Sequence, residues 1–132
     1  MFLLDTNILS YWMRGDSALI ARIKRHSPSE LAISAISLAE ILYGIEKSAV
    51  KKKTRTEKIQ RIVALLDILD FDEAAAPYYA VIRAGLEKNG LVIGERDMQI
   101  AAIARARKLT VVTHNTREFD RISGLKVEDW AT

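Results

Sequence analysis

Residues 2–9 read FLLDTNIL: three apolar side chains run straight into a carboxylate, Asp5, and then into Thr6 and Asn7. Strands covered by helices on both faces read as short apolar runs rather than as alternations. An acid at the end of such a strand has two readings. It caps the helix that follows, or it faces a ligand beyond the carboxyl end of a parallel sheet.

Moving outward, four more segments have strand character: LAIS at 31–34, DILDF at 67–71, TVVT at 110–113 and LKVED at 125–129. Helical spacing fills the intervals. TNILSYWM follows the first strand, and SALIARIKRH comes next, with Leu19, Ile20 and Ile23 on one stripe. SLAEILYGIEKS sets Leu38, Leu42 and Ile45 on one face; IQRIVALL aligns Ile59, Ile62, Val63 and Leu66. YYAVIRAGLEKNG aligns Tyr79, Ile82 and Leu86 and stops at Gly90, a good C-terminal signal. MQIAAIARARK is apolar nearly all round until Arg105, which predicts a buried helix with a basic last turn. Strands alternating with helices predict an α/β sandwich around a mostly parallel sheet of about five strands.

The chain has 132 residues, enough for one domain spanning 1–132 with a substantial core. It contains no cysteine, which excludes disulfides, thiolate nucleophiles and cysteine zinc sites. Its two histidines, His26 and His114, are far apart and lack zinc-type pairing. His114 reads either as an exposed turn residue or as a substrate contact near a strand end. No phosphate-binding glycine loop and no G-x-S-x-G elbow is present. The apolar runs are too short for a membrane span. Asp5 interrupts the first of them and no basic segment precedes it, so no signal peptide and a cytoplasmic location are expected. Net charge is only +3, but residues 47–61 carry Lys47, Lys51, Lys52, Lys53, Arg55, Lys58 and Arg61 against Glu57. That stripe reads as a solvated surface or as a phosphate-attracting track.

Four acids stand near strand ends and helix starts: Asp5, Glu40, Asp97 and Glu118. Each also has a capping reading. Ser37 with Glu40 and Asn115 with Glu118 have capping-box spacing, Gly94 and Asp97 fit N-cap and N3, and Asp5 fits an N-cap. As a set they point elsewhere, because converging carboxylates raise one another's pKa. A hard divalent cation resolves that conflict. It could lower the pKa of a bound water and stabilise an in-line phosphoryl displacement. A receiver-like phosphoacceptor domain would cluster its acids early and place a lysine after a late strand, which TVVTHN does not supply.

LLDTNIL, ISLAEILYGIEKS, IGERDMQIAAIA and VVTHNTREFDRISGLKVEDW together resemble, in order and over nearly the whole chain, the PIN-domain ribonuclease toxins of VapC type. The resemblance implies a three-layer α/β/α fold and a Mg²⁺- or Mn²⁺-dependent endoribonuclease, with tRNA the leading substrate. It also implies a VapB-type antitoxin partner and a homodimer whose basic groove receives the antitoxin tail. It places Asp5, Glu40 and Asp97 on the family's metal-binding acids. Glu118 stands as the fourth acid, since the usual strand-end Asp is replaced by Asn115. Thr6 and Thr113 become hydroxyls that orient acids or water, with Asn7 and Asn115 lining the pocket. Lys51, Lys52, Lys53 and Arg55 are the RNA-binding candidates. Tyr43, Tyr78, Tyr79 and Trp12 are more aromatic surface than a small core buries, so some are expected at contacts. Two other functions fit the residues: a PIN-type nuclease without an antitoxin, and a catalytically silent module that binds RNA or protein.

Overall fold

The computed structural model describes residues 1–131. Within them the order is β1 (Phe2–Leu4), α1 (Thr6–Met13), α2 (Ser17–Ile23), a 3-10 turn (Pro28–Glu30), β2 (Leu31–Ser34), α3 (Ala35–Lys47) and α4 (Lys52–Leu65). The chain continues with β3 (Asp67–Leu69), α5 (Ala76–Lys88), α6 (Glu95–Arg107), β4 (Thr110–Val112), α7 (Thr116–Phe119) and β5 (Val127–Glu128). All four strand pairings are parallel, and the sheet order is β3-β2-β1-β4-β5.

The period-2 geometry of the strands sorts the core into two halves. Leu3, Ala32 and Val111 face one way and pack with α5, α6 and Phe119 of α7. Leu4, Ile33 and Val112 face the other way and pack with α1 to α4 and Trp130. The result is the three-layer sandwich the alternation predicts. Helix α6 fills the centre of its layer: Ile100, Ala101, Ala102, Ile103 and Ala104 are all buried, which is why its sequence is apolar all round between Gln99 and Arg105.

The chain builds β1, β2 and β3 outward in one direction, then returns to lay β4 on the opposite side of β1. The strand order therefore reverses between β1 and β4. Crevices beyond the carboxyl ends of strands at such a switch are where open α/β sheets bind ligands. Asp5 ends β1 and Thr113 ends β4. Among the described residues no helix is long and apolar enough to cross a membrane.

Candidate active site

Asp5 does both things its sequence position offered. Its backbone N–H reaches across to Val112 O of β4 at 3.0 Å. Its carboxylate caps α1 by accepting the Ile8 N–H, also at 3.0 Å. The side chain is buried, at 3 % exposure. Burial pushes its pKa up; hydrogen bonds from the Thr113 hydroxyl and from the Ile8 and Asn7 N–H groups pull it back, and the charge of Glu40 adds a further upward push. Thr113 is fully buried, and its hydroxyl oxygen accepts the Asn115 N–H at 2.9 Å while its proton goes to Asp5. Thr113→Val keeps the shape and removes both bonds. Partners that orient metal-binding groups are worth roughly 10- to 100-fold in affinity or activity. Thr113→Val is therefore expected to lower RNA cleavage by about that factor and to raise the cation concentration needed for half-maximal rate. Unchanged cation dependence would show that the hydroxyl merely fills space.

Glu40 is not a capping residue, so the capping-box alternative for Ser37 and Glu40 falls away. The N-cap of α3 is Ser34, whose hydroxyl accepts the Ser37 N–H at 2.9 Å, so Glu40 falls in the second turn, beyond the orphan N–H groups. A line of hydroxyls leads to it instead. Ser34 and Ser37, both fully buried, lie 3.2 Å apart. Thr6 Oγ1 is 2.9 Å from Ser37 Oγ and 3.1 Å from Glu40 Oε1. Its single proton goes to the carboxylate, the stronger acceptor. The start of α1 thus holds a side chain from α3. Asn7, next along, is exposed at the mouth.

Asp97 occupies the third position of α6, after the N-cap Gly94, and is half-buried. Its pKa is pushed up to about 6, first by burial and then by the charges of Asp5, Glu118 and Glu40. Glu118 stands at the corresponding position of α7 after Asn115, which makes no side-chain cap bond. The four carboxylates therefore share one electrostatic neighbourhood with Asp97 at its centre. No ion pair among the described residues relieves it: those present lie elsewhere. The acids also keep apart, since no three acids or histidines among the described residues stand close enough to clasp one ion.

The chemistry of these donors, rather than a closed cage, is what suits a hard divalent cation that keeps several of its waters. The set offers oxygen ligands only, beyond the ends of β1 and β4, with two threonines orienting two of the carboxylates and no lysine or arginine paired with any among the described residues. The same geometry fixes the sign of a pH effect. Asp97 binds its proton more tightly in the folded chain than its ordinary 3.8, so folding is disfavoured once pH rises through the window from about 4 to about 6. With Asp97 half-buried and partly screened by solvent, the loss is about 1 kcal/mol. Metal-free protein is expected to melt at higher temperature at pH 5 than at pH 7, and Mg²⁺ or Mn²⁺ at pH 7 to restore the difference. A melting temperature indifferent to both would contradict a repelling acid cluster.

Lys47 of the basic stripe ends α3, and the rest of the stripe lies on α4, entered through Lys51 in a left-handed conformation at φ 56°. A cleft of about 320 Å³ opens between α1, α3 and α4, lined by Ser10, Met13, Arg14, Ile41, Lys51, Arg55 and Lys58. Lys58 Nζ donates to Met13 O at 3.1 Å, and Lys52 pairs with Glu46 at 3.3 Å. Lys53 is exposed on the same helix outside the cleft. Sequence reasoning did not place Arg14 with these cations, because α1 and α4 meet only in the fold. Of the aromatics expected at contacts, Tyr43 is 66 % exposed and Tyr78 also lies at the surface, whereas Trp12 and Tyr79 are partly buried against the two core halves.

The PIN domain family matches residues 2–125 of this parallel-sheet chain with four acids around its switch point; the chain belongs to that family. Within it, relatives similar over nearly the whole chain are VapC endonucleases and ribonucleases. The chain is 39 % identical over 130 residues to the tRNA(fMet)-specific endonuclease VapC of Shigella flexneri, covering 98 % of both chains. It is 36 % identical over 129 residues to the Ribonuclease VapC2 of Haemophilus influenzae, with 98 % of this chain and 97 % of the relative covered. Among solved structures, VapBC2 from Rickettsia felis bound to a DNA fragment from its promoter superposes with a TM-score of 0.91 at 36 % identity, covering 98 % of each chain.

Proposed function

We propose that this PIN-domain endoribonuclease toxin depends on Mg²⁺ or Mn²⁺, cuts tRNA, and is held in check by a VapB-type antitoxin. The observation that supports the metal requirement is the placement of four carboxylates without a cationic partner around the ends of β1 and β4, where half-buried Asp97 feels the charges of Asp5, Glu118 and Glu40. Asp5 and Asp97 would hold the cation, with Glu40 and Glu118 completing its surroundings or positioning water. When bound, the cation supplies activation of water and stabilisation of charge at the phosphate under in-line attack. The chain's own residues do the rest. Thr113 and Thr6 fix the Asp5 and Glu40 carboxylates before substrate arrives. Lys51, Lys52, Lys53 and Arg55, joined by Arg14 and Lys58, attract the RNA backbone, a contribution that weakens as salt rises. Cleavage of this kind leaves 5′-phosphate and 3′-hydroxyl ends.

The tRNA substrate is supported by the Shigella flexneri relative, an initiator-tRNA endonuclease by name. The antitoxin is supported by structural relatives solved as VapBC complexes. A homodimer fits the exposed Tyr43, Tyr78 and Val81. Sequencing of 5′-phosphate RNA ends from cells expressing the chain tests the reading. The expected result is one dominant new end within a tRNA, absent when an Asp97→Asn protein is expressed. New ends scattered over messenger RNA would overturn the tRNA assignment, and no new ends would overturn the nuclease.

A further inference from the structure

His114 lies in the bend between β4 and α7. The bend is closed by the Asn115 N–H donating to the Thr113 hydroxyl, so His114 is one residue from the side chain that orients Asp5. Its ring is held from two directions. Nδ1 lies 3.1 Å from Asp129 Oδ2, and the ring meets Tyr11 in a T-shaped contact with centroids 5.9 Å apart. Asp129 is itself fixed, since its other oxygen accepts the Ala131 N–H at 2.8 Å. On the Tyr11 ring stands the Arg14 guanidinium, 4.8 Å from the centroid. Asn7, Tyr11 and Arg14 follow one another at helical spacing along α1 and just past its end, a stripe that starts beside Asp5 and runs outward. The His114 side chain nevertheless remains 47 % exposed.

We propose that His114, Tyr11 and Arg14 form a stacking subsite for a nucleobase of single-stranded RNA, next to the phosphodiester that the acids receive. The proposal rests on the nuclease reading above and adds a base-binding position to it. Unpaired bases stack on aromatic rings and on guanidinium planes, with little demand for a particular base. A ring already locked through Nδ1 has surrendered its rotameric freedom, so a base gains contact against it at small entropic cost. The competing role is structural: His114 could serve only to tie Asp129 and the end of the sheet to β4.

Substitution separates the two roles. His114→Gln retains a donor for Asp129 and loses the ring; His114→Phe retains the ring and loses the donor. The probe is a fluorescein-labelled short single-stranded oligoribonucleotide, with an otherwise identical strand carrying abasic sugars, bound in EDTA so that no cutting intervenes. Anisotropy is expected to show His114→Gln about tenfold weaker than wild type, and His114→Phe within about twofold of it. The abasic strand should bind wild type and His114→Gln alike. Equal binding by His114→Gln and wild type, an equal loss in His114→Phe, no discrimination against the abasic strand, or no binding by wild type would each overturn the subsite. Cleavage of the base-bearing strand in Mg²⁺ or Mn²⁺ is scored separately. Its absence in wild type would remove the nuclease reading, while the anisotropy series would still decide the stacking role.

Discussion

Asp97→Asn is expected to lose RNA cleavage by more than about 100-fold, beyond the range for residues that only orient a metal's ligands. The metal-free fold is expected to hold or gain stability at the same time. The substitution keeps the size of the side chain at the start of α6, and Asn is tolerated at helix starts as Asp is. What it removes is a half-buried charge, disfavoured first by burial and then by Asp5, Glu118 and Glu40, which together lift the Asp97 pKa to about 6. Were Asp97 only a favourable charge for the helix dipole, the change would cost up to about 1 kcal/mol and leave cleavage intact. Two measurements therefore move in opposite senses under the two readings: thermal melting in EDTA, and cleavage in Mg²⁺. A well-folded Asp97→Asn protein that cuts normally would remove Asp97 from the site.

Phe119→Ala is expected to be the most damaging core truncation near the site, at about 3–5 kcal/mol. Phe119 is fully buried and is the anchor of α7, a helix of only four residues with no side-chain cap. It packs into the half of the core built from Leu3, Val111 and α6. So short a helix has no independent stability, and the ring is what holds Glu118, its neighbour, toward Asp97. For a chain of this length the melting temperature should fall by about 10 °C or more. Cleavage measured well below the new midpoint should also need more cation than wild type. A midpoint within about 2 °C of wild type would mean that α7 is held by something other than Phe119.

Most of this architecture could be read from the chain because local and global signals agree. FLL, LAIS and the start of TVVT are strands that lie at the middle of the sheet, where burial on both faces writes an unbroken apolar run. DILDF and LKVED were read longer than β3 and β5 prove to be, since edge strands are half solvated and end where pairing ends. The apolar stretch that became α6 declared itself by having no polar face. The capping alternative for Glu40 stayed open in the sequence because spacing alone cannot say whether Ser34 or Ser37 closes the helix; that depends on where β2 stops. The convergence of the acids was visible only as a shared placement at strand ends. The Ser34–Ser37–Thr6 hydroxyl line, the Arg14 side of the basic cleft and the Asp129–His114 pair join residues distant in sequence, and no periodicity announces them.

The acid cluster beyond the ends of β1 and β4 is expected to cut RNA only with a divalent cation in place. The most direct test is cleavage of total tRNA by the purified chain, first in EDTA and then across a Mg²⁺ and Mn²⁺ titration, with the product ends sequenced. No cutting in EDTA, saturable recovery with either ion, and 5′-phosphate ends at a defined position are expected. Undiminished cutting in EDTA, or none with either ion, would contradict a metal-dependent site.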